Sequence, residues 1–135
     1  LTQYLLHHPQ SLPELEAIVH PLVRRRIGSF LAAAETGGAG MAVVDIPLLF
    51  ENGVDWGLDA VIVTTVDEAE QRRRALARPG MSVEKLDAIL ARQLPQAEKK
   101  ARADYIIYTE KSLADTKAAV KALVEALRAS PKGIP

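Results

Sequence analysis

Cysteine is absent from the 135-residue sequence, which excludes disulfide bonds and thiolate metal sites within it and is compatible with a reducing compartment. No apolar run approaches the roughly 20 residues that a membrane-spanning helix needs. No basic segment followed by an apolar one opens the sequence, so we expect a cytoplasmic protein without a membrane partner. Lys and Arg total 17 and Asp and Glu total 17, so net charge argues neither for nor against a polyanionic partner.

Two nucleotide-binding motifs are also absent, namely G-x-x-x-x-G-K-[ST] and G-x-G-x-x-G. The one glycine-rich tract, residues 37–40, precedes an apolar run instead of following one and contains no lysine. It therefore lacks the features of a phosphate-binding loop. No His or carboxylate cluster has the spacing of metal ligands, so we predict no metal site built by protein side chains alone.

Three short apolar runs have the length and composition of buried strands in a parallel sheet. They cover residues 41–46, 60–65 and 105–108. Helical patterns separate them, and this alternation predicts an α/β fold with a largely parallel sheet. The length of the sequence fits one domain.

Helix starts are predicted by side-chain oxygens that can accept hydrogen bonds from a first turn. They belong to Ser11, Asp67, Ser82 and Ser112, and the first two precede a glutamate three positions on, as in a capping box. Pro21 predicts a break in the first helix. The helix after Asp67 is expected to run to about Arg78, where Pro79 and Gly80 follow.

Two arginines in this second helix are candidates for binding phosphate. Arg74 and Arg78 are four positions apart, which places them on one face of a helix. The guanidinium group matches phosphate oxygens, and the Pro-Gly break beside Arg78 would suit a mobile element. A solvated basic face that pairs with Asp67, Glu68 and Glu70 explains the same residues, and the residues alone favour that interpretation.

The strand at residues 41–46 carries a carboxylate, Asp45, near its predicted carboxyl end. Ligands of open α/β sheets bind at such ends, and a buried unpaired carboxylate is costly. Leu48, Leu49 and Phe50 would then form an apolar wall that Glu51 closes, although core packing explains the three apolar residues equally well.

His20 precedes the predicted break at Pro21, where a side chain can point from a helix end into a cleft. A structural histidine near a helix end is the alternative, and it is favoured when the residue is considered alone.

The order of these segments resembles the dephospho-coenzyme A kinase family. The resemblance rests on L-E-A-I-V-H-P-L-V at residues 15–23, D-I-P-L-L-F-E at residues 45–51, the segment from Gln71 through Arg78 to Gln93, and A-D-Y-I-I at residues 103–107. It runs from about residue 12 to residue 127, with order and spacing preserved.

The resemblance implies a P-loop NTPase-type three-layer fold with a parallel sheet, a helical coenzyme-binding region and a lid. Its regions would be residues 1–40 for coenzyme binding, 41–66 for core strands, 67–95 for lid helices, and 103–129 for the last strand and helix. The implied reaction transfers the γ-phosphoryl group of ATP to the ribose 3′-hydroxyl of dephospho-coenzyme A, giving coenzyme A. ATP and Mg²⁺ would serve the complete enzyme, and no nucleic-acid partner is implied.

Residue roles follow from the same resemblance. Arg74 and Arg78 correspond to lid arginines that close over the ATP phosphates, and such arginines contribute to catalysis by positioning and charge stabilisation. His20 and Pro21, together with Asp45 and the wall of Leu48, Leu49, Phe50 and Glu51, belong to the acceptor pocket.

The sequence departs from the family pattern in one large respect. Members of the family begin with a strand, a P-loop and an aspartate thought to act as the base, and none of these occurs here. We therefore expect the C-terminal two-thirds of a kinase, inactive alone and prone to self-association through exposed sheet edges.

Two alternatives stay open. One is a different P-loop kinase that acts on a nucleotide or nucleoside, in which the two arginines do the same work on another acceptor. The other is a non-catalytic binding module, for which the absence of the P-loop motif is natural.

Overall fold

A computed structural model describes residues 8–129 of the chain. Within that range the fold divides into two units, one ending at Asp45 and the other starting at Ile46. No helix among these residues has the length and apolar character needed to cross a membrane. The four regions implied by the resemblance stay a prediction, apart from the strand at residues 41–46, which is treated below.

The first unit contains a 3-10 turn at Pro9–Ser11 and one long helix, α1, at Leu12–Thr36. The predicted break at Pro21 is wrong, because α1 continues through this residue. Proline removes one N–H donor and its ring crowds the carbonyl four residues earlier, but the other residues of this 25-residue helix keep it continuous.

The predicted cap at Ser11 is also wrong. Ser11 ends the 3-10 turn with φ −82° and ψ −8°, and its side chain accepts no capping hydrogen bond. A capping side chain reaches the first turn from an extended backbone, and Ser11 is already helical.

The predicted strand at residues 41–46 does not form in the structure. A strand is defined by hydrogen bonds to a neighbouring strand. Within residues 8–129, the backbone of this segment makes no such bond, and Val43 is 71% exposed. An apolar run predicted a buried strand correctly only where a partner strand lies beside it.

The second unit contains the sheet. Its elements are β1 (Ile62–Thr65), α2 (Glu68–Leu76), α3 (Val83–Leu90), α4 (Gln96–Arg102), β2 (Tyr105–Tyr108) and α5 (Leu113–Ala129). The two strands pair in parallel, with Ile62 opposite Tyr105 and Thr65 opposite Tyr108. The α/β class, the parallel pairing and the strands predicted at 60–65 and 105–108 are confirmed, the first being shorter than expected.

Three of the predicted helix starts are confirmed. Asp67 accepts hydrogen bonds from the backbone of Ala69 and Glu70, and Ser82 accepts one from the backbone of Lys85. Ser112 accepts one from the backbone N–H of Asp115 and donates its hydroxyl proton to the carboxylate of the same residue. These caps satisfy N–H groups that a helix leaves unpaired at its start.

Asp104 joins the beginnings of the two strands. Its carboxylate accepts a hydrogen bond from the Val61 N–H at 2.7 Å, and its own N–H donates to the Val61 carbonyl at 3.0 Å. The buried residues of the described chain are Leu86 on α3, Ile107 on β2 and Thr65 on β1. The core of the second unit therefore lies around the sheet and α3.

Candidate functional site

A cleft of about 510 Å³ opens at the carboxyl ends of β1 and β2. A threonine lies at the carboxyl end of each strand. Thr65 is the last residue of β1, Thr109 follows β2, and both line the cleft. Thr64 of β1 also lines the cleft, and the rest of its polar lining comes from α2, the segment before α4, and α4 itself: Glu68, Gln71, Arg72, Gln93, Gln96 and Lys99. In open α/β sheets this edge is where ligands bind.

Hydrogen bonds connect the floor of the cleft to its helices. The buried Thr65 hydroxyl donates to the side-chain oxygen of Gln96, and the Gln96 amide donates to the side-chain oxygen of Gln71 at 2.9 Å. One polar chain thus joins β1, α4 and α2.

Arg74 contacts the same end of the sheet. Its guanidinium donates to the Thr109 carbonyl at 2.8 Å and to the Glu70 carboxylate at 2.7 Å. The side chain is 40% exposed, so part of the guanidinium still faces solvent. Arg74 is therefore a fixed positive charge at the carboxyl end of β2.

Arg78 does not share a helix face with Arg74, contrary to the sequence prediction. Helix α2 ends at Leu76, and Arg78 lies in the bend that follows. Gly80 adopts φ +74° in that bend, a conformation that glycine accepts without strain, and its carbonyl accepts a hydrogen bond from Lys85. Within residues 8–129 the exposed Arg78 guanidinium makes no hydrogen bond or ion pair.

Glu70 pairs with two of the three arginines of α2, Arg73 and Arg74. Hydrogen bonds from Arg73 and then Arg74 lower the pKa of Glu70 from its ordinary value of 4.5 to about 2. The Glu70 carboxylate points toward the C-terminal end of α2, where Arg73 and Arg74 lie, and does not complete the predicted capping box with Asp67.

We expect a carboxyl NMR titration to give Glu70 a midpoint near pH 2, and Arg74→Gln to move it toward 4.5. Because the folded pKa lies below the ordinary value, the ionised carboxylate stabilises α2 above about pH 4.5. That contribution is lost as the pH falls through 2. A midpoint near 4.5 in the unsubstituted chain would contradict the ion-pair geometry.

The predicted apolar wall forms a bend in the second unit. Leu48 has φ +55°, a left-handed conformation that costs a non-glycine residue about 1–2 kcal/mol. Leu49 and Phe50 line a second pocket of about 310 Å³ together with Trp56, and the Arg102 guanidinium lies 6.0 Å from the Phe50 ring centre. Leu48 itself is exposed, so core packing does not explain it.

Glu51 reaches from this wall to the edge of the cleft. Its carboxylate accepts hydrogen bonds from the Leu94 N–H and from Lys99, each at 2.9 Å, and its side chain is only 13% exposed. Burial raises the pKa of Glu51, but the hydrogen bonds from Lys99 and Leu94 outweigh it and leave this pKa below its ordinary value.

The remaining predicted site residues belong to the first unit. His20 and Pro21 lie on α1, Asp45 ends the unit, and all three are exposed. Asp45 is therefore not a buried carboxylate, contrary to the sequence prediction. Of the predicted residues, the structure connects Arg74 and Glu51 to one cleft, because each bonds to a residue that lines it.

Sequence reasoning missed several cleft residues, in particular Thr65, Thr109, Gln96 and Lys99. The first two could have been found by applying the strand-end rule to residues 60–65 and 105–108, as it was applied to Asp45. No local sequence pattern indicates that Gln96 and Lys99 belong to the cleft. Within residues 8–129 no three His, Cys, Asp or Glu side chains come together as a group that could hold a metal ion.

The structure is that of an α/β protein with a polar cleft at the carboxyl ends of parallel strands. The family model described as dephospho-CoA kinase matches residues 1–115. The chain belongs to the dephospho-CoA kinase family.

Similar proteins agree with this assignment. A dephospho-CoA kinase of Rhodopseudomonas palustris strain BisB18 is 48% identical over 132 residues, which cover 98% of this chain and 66% of that protein. One from Rhizobium etli is 47% identical, covering 95% and 63%. The crystal structure of TT1252 from Thermus thermophilus matches with a TM-score of 0.72 and 35% identity, covering 93% and 64%. The chain spans about two thirds of the length of these curated relatives.

Proposed function

We propose that the protein containing this chain phosphorylates the ribose 3′-hydroxyl of dephospho-coenzyme A with ATP, giving coenzyme A. The observation that carries the proposal is the family membership of residues 1–115. The cleft supports it, because polar side chains and Arg74 gather at the strand ends where an α/β kinase would bind a nucleotide.

Two arginines of the chain act on the phosphates. Arg74 is held by Glu70 and Thr109, so it offers a preorganised charge that needs no rearrangement during transfer. Arg78 has no partner among the described residues, so its guanidinium is available to bind phosphoryl oxygens. In phosphoryl transfer, positioning and charge stabilisation supply most of the catalysis.

The acceptor is bound by the residues that the family resemblance assigns. The wall of Leu48, Leu49 and Phe50 packs against the apolar part of the acceptor, and Glu51 fixes the wall to the cleft edge. The resemblance also assigns His20, Pro21 and Asp45, which belong to the first unit, to acceptor binding.

The finer features of the assignment are part of the same proposal. They are a three-layer P-loop fold, a cytoplasmic location and the use of Mg²⁺, which when bound with ATP neutralises phosphate charge. Self-association through the edges of the β1–β2 sheet is proposed for residues 1–135 expressed alone.

Incubation of the complete protein with ATP and dephospho-coenzyme A, followed by chromatography, tests the reaction. Coenzyme A should appear in proportion to the ADP formed. Nucleoside monophosphates serve as competing acceptors, and their preferential phosphorylation would favour a different P-loop kinase. Binding of dephospho-coenzyme A without turnover would favour a non-catalytic module.

Residues 1–135 assayed alone should form no coenzyme A, because no G-x-x-x-x-G-K-[ST] motif occurs among them. The complete protein assayed in parallel is the control. Turnover by residues 1–135 would contradict this prediction and would require another phosphate-binding segment.

A further inference from the structure

Helix α4 places three side chains, spaced by three residues, against other parts of the second unit. They are Gln96, Lys99 and Arg102. Residues at this spacing lie on one helix face. The contacts of these side chains therefore tie one short helix to the sheet, to α2 and to the acceptor wall.

Lys99 makes the central contact of the three. Its ammonium donates to the Glu51 carboxylate at 2.9 Å and to the Gln93 side-chain oxygen at 3.1 Å. Both partners of the ion pair are largely buried, with side chains 21% and 13% exposed. Most other ion pairs among the described residues lie at the surface, whereas a pair shielded from water is screened far less by salt.

The wall that Glu51 ends needs an external constraint. Leu48 holds a left-handed backbone conformation, and such strain persists only where surrounding contacts determine it. The Asn52 N–H donates to the Leu48 carbonyl at 3.0 Å and closes the bend locally. Long-range contacts also hold it: Lys99 on Glu51 and Arg102 over Phe50, both from α4, and the Leu94 N–H on Glu51.

The N-terminal end of α4 is bonded to β1 and α2. Gln96 accepts from Thr65 and donates to Gln71 on α2, the helix that carries Arg74. Helix α4 is thus bonded through Gln96 to α2, the helix of Arg74, and through Lys99 to the wall.

We propose that Lys99 is a positioning residue, which through its ion pair with Glu51 holds the acceptor wall in place relative to the cleft. This inference rests on the proposed function. Lys99 acts through its ion pair with Glu51. Without Lys99, the largely buried Glu51 carboxylate keeps the hydrogen bond from the Leu94 N–H but loses its cation, and the wall is held less firmly.

The expected signature is a change in acceptor affinity without a comparable change in ATP affinity. Lys99→Met in the complete protein should raise the KM for dephospho-coenzyme A about 10-fold, the effect of losing one hydrogen bond to a charged group. The KM for ATP should change less than about 2-fold. Lys99→Arg should recover most of the loss, because it restores a cation opposite Glu51.

A second readout does not depend on turnover. Hydrogen–deuterium exchange of peptides covering residues 48–56 should be faster in Lys99→Met than in the unsubstituted protein and should return toward normal in Lys99→Arg. Lys100→Met is the matched control, since Lys100 is the next residue on α4 and has no side-chain partner among the described residues. It should leave both readouts unchanged.

The kinetic and exchange results each test the positioning role of Lys99. An unchanged acceptor KM, an equal rise in both KM values, or unchanged exchange at residues 48–56 would overturn the positioning role. If Lys99→Met fails to fold, Glu51→Gln replaces it, and a KM rise of about 3-fold for the acceptor alone is then expected. No turnover by the unsubstituted protein would refute the proposed function, while the exchange measurement would still test the link between Lys99 and the wall.

Discussion

Arg78→Gln in the complete protein is expected to lower kcat for phosphorylation of dephospho-coenzyme A by about 10²–10³-fold. Arg78 has no intramolecular partner among residues 8–129, so its removal costs the folded protein no described contact. Its guanidinium is instead available to stabilise charge on the transferred phosphoryl group. Steady-state kinetics at saturating ATP and acceptor measure the effect, and the melting temperature should stay within about 2 °C.

Arg128→Gln is the matched control for this substitution. Arg128 is also exposed, lies in the second unit and has no side-chain partner among the described residues, but it sits near the end of α5 and not in the bend after α2. Its kcat should match that of the unsubstituted protein. If Arg78→Gln keeps a kcat within about 3-fold, the role of Arg78 in transfer is wrong, because single transition-state contacts cost much more.

Ile107→Ala is expected to reduce the free energy of unfolding by about 2–4 kcal/mol. Ile107 is only 6% exposed and lies on β2, where it pairs with Thr64 of β1. Truncation removes buried methyl groups and leaves a cavity beside a two-stranded sheet that has little other core. Urea denaturation followed by far-UV circular dichroism gives the free energy and its denaturant slope.

Leu113→Ala controls for the loss of an equal number of carbon atoms. Leu113 is 70% exposed at the start of α5, so its truncation should change stability by less than about 0.5 kcal/mol. Equal effects of the two substitutions would show that Ile107 is not part of the core.

Local signals in the sequence predicted the elements whose determinants are local. Asp67, Ser82 and Ser112 cap helices through neighbours two or three residues away, and both paired strands are short β-branched or aromatic runs. The strand at residues 41–46 failed because pairing depends on a partner that no local pattern reveals. The break predicted at Pro21 was wrong because the local signal was overridden: a long helix tolerates one missing hydrogen bond.

In the candidate site too, features that depend on distant partners could not be predicted from the sequence. Arg74 and Glu51 were assigned to the site through the family resemblance, and both bond to residues of the cleft. The partner of Glu51 could not be identified, because Lys99 lies far along the chain and only the packing of α4 brings it close. Arg78 was misplaced on the helix because the end of α2 is set by the turn at Ala77, two residues before the Pro-Gly signal.

The parallel pairing of β1 and β2 has a consequence for how the chain folds. Val61 and Asp104, which join the strand starts, are 43 residues apart, and α2, α3 and α4 all lie in the intervening crossover. Closing so long a loop carries an entropic cost that local helices do not bear, so strand pairing is expected to be the slow step. A single proteolytic cut in the bend at residues 77–80 would turn that intramolecular step into an encounter between two fragments, and refolding would become dependent on protein concentration.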